Sequence, residues 1–495
     1  MGQMRFTAPH PERITPFVLQ RAYIAGIDSI PWLSTTDWDG STLTVSREIR
    51  ESGNLHIPWP VAGHGELMLS TASLMERRSP YLLPLELARG TLNRIRNQCA
   101  YWQFHGLNLT ETSNHQLNLA AQEFAIAATA QADVHRAAEA AERALTFSLD
   151  AVRMLVDEFT SQFFAARAQQ GPQTSKLLAG NIGYRVMDER ATRRVLRAFN
   201  SVVVPAHWRS IELDQGRFDF QAAERQLQFC RDQGLRVIGG PLLDLSRANL
   251  PDWMSLWAGD YEMAQPSIMK FMQATVEKLR GQVHVWNVAG GINVADALQL
   301  NEEHRLRLTV DVIELVRKLD GKVPMLVTFD QPFAEYLAHA DYELSPLQFA
   351  DTIVRAELGV AGLGLTFNLG YWPDGTTERD LIELNRLLDQ WGALGLPLVI
   401  FLTAPNCDEV DPLAAAGLRT IPEAVAGGHS RESQAEFVNR TLPLLLAKPM
   451  VHAVVWNQLF DDQPHVYPYG GLFDFRGKKK RAIRAISALR RQYLN

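Results

Sequence analysis

Three cysteines in 495 residues, Cys99, Cys230 and Cys407, are too few and too far apart for a disulfide framework or a metal knuckle. No run of about 18 apolar residues is present, so nothing reads as a membrane-spanning helix. The opening Met1-Gly2-Gln3-Met4-Arg5-Phe6-Thr7-Ala8-Pro9 lacks the apolar centre of a secretory signal. These absences lead to the expectation of a cytoplasmic protein that does not engage a membrane. Excess positive charge is missing too: 49 Lys and Arg stand against 55 Asp and Glu, a net −6, which excludes a general electrostatic case for nucleic-acid binding. The one dense basic cluster, Lys478-Lys479-Lys480-Arg481, reads as the exposed start of a C-terminal helix. No Gly-x-Gly-x-x-Gly follows an early strand, so a dinucleotide site is not expected. The 13 histidines include no His-x-x-x-His pair, and His207, His452 and His465 are isolated, so neither a metal nor another cofactor is expected. Cys407 has no histidine near it in sequence to activate it as a nucleophile.

What is present is a soluble chain long enough for two or three domains. Residues 1–85 alternate short apolar pieces with turn formers such as Asp39-Gly40 and Ser52-Gly53-Asn54, and are expected to form a small β-sandwich, possibly carbohydrate-binding. Trp32, Trp38 and Trp59 are its candidate sugar-stacking rings, with core packing as the competing role. Residues 86–170 turn to Ala, Leu, Glu, Gln and Arg with three-to-four-residue apolar spacing, which predicts a helical connector. Its second stretch, from about 114 to 168, is too long for one isolated helix without a break. It is expected to pack between sandwich and barrel, or to pair two copies in a homo-oligomer. The clearest linker is Gln170-Gly171-Pro172-Gln173.

From 171 to 495 eight apolar strand candidates alternate with helical stretches: 177–182, 201–204, 236–239, 283–288, 325–328, 362–367, 396–402 and 453–456. Eight strands over this length predict an α/β fold, a (β/α)8 TIM barrel, with an open doubly wound sheet as the alternative. In such a barrel the chemistry lies where the strands end.

Several stretches of this region resemble glycoside hydrolase family 10, the xylanases. They are Phe199-Asn200-Ser201-Val202, Trp208, and Ser210-Ile211-Glu212-Leu213-Asp214-Gln215-Gly216-Arg217-Phe218-Asp219-Phe220. Gly234-Leu235-Arg236-Val237 with Leu250-Pro251-Asp252-Trp253, Trp286-Asn287-Val288, Gly395-Leu396-Pro397-Leu398, and Trp456 with Gly471-Leu472-Phe473-Asp474 follow in order. The resemblance implies a retaining mechanism with an acid/base glutamate ending strand four and a nucleophilic glutamate ending strand seven. In this chain those positions fall on Gly291 and near Leu402, which can neither donate a proton nor attack a carbon. The family's sugar-binding positions fall on Gly240, Asp244 and Leu245 on strand three, and on Thr366 and Asn368 on strand six. Its strand-two Glu-Asn pair is absent from Val203-Val204-Pro205-Ala206, and Trp456 alone stays in register. Glu212 matches a glutamate that is expected to be structural.

The remaining strand-end acids are Asp244, Asp330, Asp408, Glu409, Asp411, Asp461 and Asp462. Two that faced each other across the mouth would form a relocated hydrolytic pair; Asp330 and Asp461 follow their strands most closely and are the candidates. Trp456, Trp372, Asp244, Asn287 and Asn368 are the candidate substrate-binding residues. The expected function is a carbohydrate-active protein acting on or binding a β-linked poly- or oligosaccharide, enzyme or pseudoenzyme. The alternative is a non-catalytic barrel serving assembly.

Overall fold

The computed structural model describes residues 2–169, 176–294 and 297–494; the linker expected at 170–173 lies outside them. The N-terminal part is two four-stranded sheets. One runs in the order Ser34–Trp38, Thr42–Arg47, Gly2–Thr7, Tyr81–Leu82; the other Pro31–Trp32, Tyr23–Ala25, Asn54–Val61, Gly65–Ser70. Period-two alternation in Gly2–Thr7 and Thr42–Arg47 sends Met4, Phe6, Leu43 and Val45 inward. The second sheet is buried nearly throughout, because its outer face lies against the rest of the chain: Met68 N donates to the Glu378 carbonyl at 2.8 Å. Trp59 is a packing residue, 1% exposed, with its indole N–H on Glu142 (3.1 Å) and Arg13 over its ring. It offers no face to a sugar, which corrects one of the stacking candidates. Trp32 and Trp38 are half-buried against the same core.

Three helices follow, α1 (Leu83–Phe104), α2 (Glu111–Thr129) and α3 (Val134–Ala168). The long periodic stretch breaks at residues 130–133, where the Asp133 carboxylate caps α3 by accepting from Arg136 N at 3.1 Å. Fully buried Ala137, Ala140, Ala141 and Ala144 let α3 approach its neighbours closely. It packs on α1 and α2 on one side and on the helices Leu381–Gly392 and Arg431–Ala447 on the other.

Those two helices belong to a closed barrel of eight parallel strands. In chain order they are β1 (Leu177–Asn181), β2 (Ser201–Val204), β3 (Arg236–Gly239), β4 (Val285–Gly290), β5 (Met325–Asp330), β6 (Gly362–Asn368), β7 (Leu398–Thr403) and β8 (Val451–Trp456), with β8 pairing back to β1. This is the (β/α)8 fold, with strands starting and ending within about three residues of the expected positions. Ala179, Val203, Ile238, Leu326, Val399, Phe401, Ala453 and Val455 fill the lower lumen, so the barrel is a packed core rather than a pore.

The parts are joined by buried charge. Arg379 donates to Tyr23 Oη of the sandwich (2.7 Å), to Glu335 after β5 (2.8 Å) and to Glu383 (3.3 Å). Arg94 of α1 lies 3.0 Å from the other oxygen of Glu383, which also accepts from Ser70. Burial opposes ionisation of Glu383, yet Arg94 and Arg379 hold its pKa at about 2. His56, stacked on Tyr23, is pushed down to about 3 by burial and by Arg379, and is neutral. Removing one member leaves the other buried charges without a partner. Arg379→Ala is expected to cost about 3–5 kcal/mol, read as a large fall in Tm, whereas the exposed Arg78→Ala leaves Tm unchanged.

Candidate active site at the barrel mouth

Above the apolar lower lumen the inward-facing positions turn polar. Leu326 points inward on β5, so period two also brings Thr328 and Asp330 inward. Thr328 Oγ1 donates to Asn287 Oδ1 on β4 at 3.1 Å, Thr366 of β6 hydrogen-bonds the Asp330 carboxyl, and Asn368 Nδ2 donates to Tyr467 Oη at 2.8 Å. Asn287, Thr366 and Asn368 are only 2–5% exposed, so they form the floor of the mouth. Gly364 leaves room for this layer, since a Cβ there would lie 2.3 Å from Thr328 Oγ1.

Asp330 is fixed from two sides. The Asn293 amide grips its backbone, donating to the carbonyl (2.9 Å) and accepting from the N–H (3.0 Å), while Thr366 holds the carboxyl. Gly291 lies under that carboxyl: a Cβ on it would stand 3.1 Å from Asp330 Oδ2, and its φ of +63° already disfavours a side chain. The space at the end of β4 is therefore filled by an acid supplied from β5. Burial pushes the Asp330 pKa up to about 6; the Thr366 hydrogen bond works against this, and the charges of Asp244 and Asp374 work with it.

Around this acid stand Asp244 after β3, half-buried and accepting from Ser246 N at 2.9 Å, and Asp374 in the loop after β6. Tyr467, from the loop after β8, feels all three carboxylates and is held un-ionised by burial. His207 stacks on Tyr184 (4.4 Å); burial lowers its pKa, while Asp244 and an Asn249 hydrogen bond act in the opposite sense. The mouth thus gathers the carboxyls of Asp330, Asp244 and Asp374 with hydroxyls and amides, and burial raises the pKa of Asp374 as well as that of Asp330.

Asp461 is not part of it. Both its oxygens are taken, by the Lys480 ammonium and by Gly471 N (2.7 Å) with Gln458 Nε2 (3.0 Å), and it is 2% exposed. The charges bearing on Asp330 are Asp244 and Asp374, so the pairing of Asp330 with Asp461 is corrected. The other acids are also engaged: Asp411 with His465 (3.0 Å) and Tyr469 N (2.9 Å), Asp408 with His429 N (2.7 Å), and Asp462 with Arg185. Glu409 lies in an exposed loop. Trp456 has the parity of Val454 and points away from the lumen, 3% exposed, against Phe437 and with its N–H on the Gly470 carbonyl (2.9 Å); it is a packing residue, not a platform. Leu402 shares that outward parity, and Thr403 takes the inward place on β7. Trp372 is half-buried beside Phe17 of the N-terminal part, 5.4 Å between rings. Glu212 accepts from Trp208 Nε1 (2.5 Å) and Gly216 N (2.6 Å), a turn-holding role.

Asn293, Tyr467 and Asp374 escaped the sequence reading. All three sit in loops, where no periodicity marks which side chains turn back over the mouth; the nearest signal was the cluster of Asn and Gly after Trp286.

With this geometry established, comparison with known proteins places the barrel. Residues 173–307, carrying β1 to β4, match the family model described as Glycosyl hydrolase family 10. The resemblance read from the motifs therefore holds over the half of the barrel that includes Gly291. No curated protein matches the chain. Native xylanase 10B from Thermotoga maritima is 15% identical with a TM-score of 0.48, covering 68% of this chain and 98% of that one. Xylanase 10B from Thermotoga petrophila RKU-1, solved with xylobiose, gives 16% and 0.47 over 69% and 98%. A family 10 protein from Paenibacillus barcinonensis gives 15% and 0.47 over 65% and 96%.

Because the Asp330 pKa is higher in the folded chain than its ordinary 3.8, the native state binds the extra proton between about pH 4 and 6, and stability falls as pH rises through that window. Asp330→Asn removes this cost. It is expected to raise stability at pH 7.5 by on the order of 1–3 kcal/mol, with the gain vanishing near pH 4, as read from denaturation curves at both pH values. Gly291→Ala is expected to lower stability by about 1–2 kcal/mol through its backbone conformation and the Asp330 contact.

Proposed function

We propose that the barrel mouth is a glycan site in which Asp330 is the general acid and Asp244 the companion carboxylate. The observation that carries this is the Asp330 carboxyl, seated over Gly291 with its pKa raised to about 6. A carboxylic acid that keeps its proton near pH 6 can deliver it to a departing glycosidic oxygen, while a second carboxylate beside it activates water or stabilises the positive charge developing on the sugar ring. The amides of Asn287 and Asn368 and the hydroxyls of Thr328, Thr366 and Tyr467 supply the alternating donors and acceptors that sugar hydroxyls need. The family 10 match over residues 173–307 supports a β-linked glycan as the substrate class. In this reading the acid at the end of β4 has moved to β5, and no group on β7 attacks the anomeric carbon.

The β7 end favours a second reading. With Thr403 inward and Leu402 outward, that strand offers no carboxylate, which suits a barrel that holds a glycan without cleaving it. Reducing-sugar release from xylan, mixed-linkage glucan and cello-oligomers separates the two. Hydrolysis is expected to fall off above about pH 6, where Asp330 loses its proton, and Asp330→Asn is expected to lower it by roughly 10²–10⁴-fold. No release from any of the three by the intact protein leaves binding alone.

A further inference from the structure

A second cavity lies apart from the mouth floor, where the sandwich, α3 and the barrel meet. Its volume is ≈ 180 Å³, far above the roughly 10–15 Å³ that one water needs. Its walls are the Gly63-His64 turn of the sandwich, Arg153 of α3, Leu369 and Gly370 just past β6, Ala404 and Pro405 just past β7, and one face of Arg431–Ala447. Gly65 closes the roof against the loop that follows β7, where a Cβ would meet the Ala424 carbonyl at 2.6 Å.

Buried polar atoms of this wall lack partners among the described residues. The His429 side chain is 3% exposed, yet neither ring nitrogen makes a hydrogen bond; its closest charge is Asp408, 4.0 Å away. Gln434, 1% exposed, spends its amide N–H on the Ala404 (2.8 Å) and Gly471 (3.3 Å) carbonyls and leaves Oε1 unpaired. Arg440 pairs through Nη2 with Glu378, while its Nε is unpaired. Atoms of this kind are costly unless something in the cavity bonds them. Burial lowers the His429 pKa, so the ring is neutral and presents one donor and one acceptor. Gln434 adds an acceptor and Arg440 a donor. The charged lining groups balance, Arg153 and Arg440 against Glu378 and Glu436, and His64 faces Asp150 at 3.0 Å. A phosphate or carboxylate finds no surplus of positive charge, and a cation no surplus of negative.

We infer that this cavity is a binding site for a small neutral polyhydroxylated ligand, of the size of one sugar ring, gripped by His429, Gln434 and Arg440. Each hydroxyl of such a ligand both donates and accepts, which matches the mixed set of unpaired donors and acceptors. The site needs the sandwich turn and α3 as walls, so it exists only in the full chain. It does not rest on the proposed chemistry at Asp330.

The test is calorimetric titration of the full-length protein with D-xylose, D-glucose and myo-inositol, each alone, and with sodium phosphate and sodium acetate as anionic controls. One or more of the neutral ligands is expected to bind. His429→Phe, which preserves ring volume but removes both nitrogens, is expected to weaken binding by roughly tenfold or more with Tm maintained. Asp330→Asn is expected to leave it unchanged. A crystal soaked in the binding sugar should show it against His429. Absence of binding, equal binding by His429→Phe, displacement by phosphate or acetate, or loss only in Asp330→Asn would each overturn the inference; the last places the sugar in the mouth instead.

Discussion

The mouth of this barrel is governed by a steric fact at the end of β4. Gly291 carries no side chain, adopts a left-handed conformation and lies directly beneath the Asp330 carboxyl. A Cβ at this position would stand 3.1 Å from Asp330 Oδ2, and the carboxyl present comes from β5. Its proton affinity follows from the same crowding: a carboxyl packed into a floor of threonine and asparagine side chains gives up hydration and gains only one neutral hydrogen bond in return. The neighbouring carboxylates Asp244 and Asp374 push in the same direction, so the local chemistry favours a protonated acid instead of an ion pair.

Contrast this with Asp461, which has the same side chain and is similarly close to a strand end. Lys480 neutralises it and two further donors saturate it. A buried carboxylate whose oxygens are taken by an ammonium and two further donors has none left for a substrate; one without a cation has its pKa raised by burial. The division of labour among the aspartates is therefore set by where the lysine and arginine side chains reach. Asp462 has Arg185, Asp474 has Arg431 and Asp461 has Lys480, and Asp330 has none among the described residues.

The fold was legible because it is written in periodicity. Eight apolar runs separated by amphipathic stretches leave few alternatives to a barrel, and the alternating Thr42-Leu43-Thr44-Val45 lies in a strand of the two-sheet sandwich, whereas the similar Phe17-Val18-Leu19-Gln20 falls on the short helix Pro16–Leu19. The site was half legible. Asp330, Asp244, Asn287 and Asn368 sit on or just beyond strands, where parity and strand-end logic apply. Parity was also the source of the principal errors. Trp456 and Leu402 look like mouth residues by position along the strand, yet they fall on the odd phase relative to Val455 and Phe401 and face the helices. Tyr467 and Asn293 reach the mouth from loops, whose conformation depends on glycine turns and tertiary hydrogen bonds that no repeat announces. Partner choice for Asp461 was invisible for a related reason: Lys480 is 19 residues away, inside a basic run that reads as solvent-exposed.

The sandwich and helices are more than appendages to the barrel, because the ionic junction around Arg379 is buried and shared by three parts of the chain. Its members come from Tyr23 and Ser70, from Arg94, and from Glu335 and Glu383. Separating the parts would expose several charges whose partners lie on the other side, so the halves are expected to unfold together. The junction also reaches towards the barrel mouth. Glu335 follows β5 by only five residues, and the loop that carries it also carries Tyr336, whose hydroxyl meets the Asn293 amide holding Asp330. A strain applied at the junction therefore has a short covalent path to the acid. The N-terminal half contributes no carboxyl to the mouth; its link to Asp330 is this chain of contacts through Glu335, Tyr336 and Asn293.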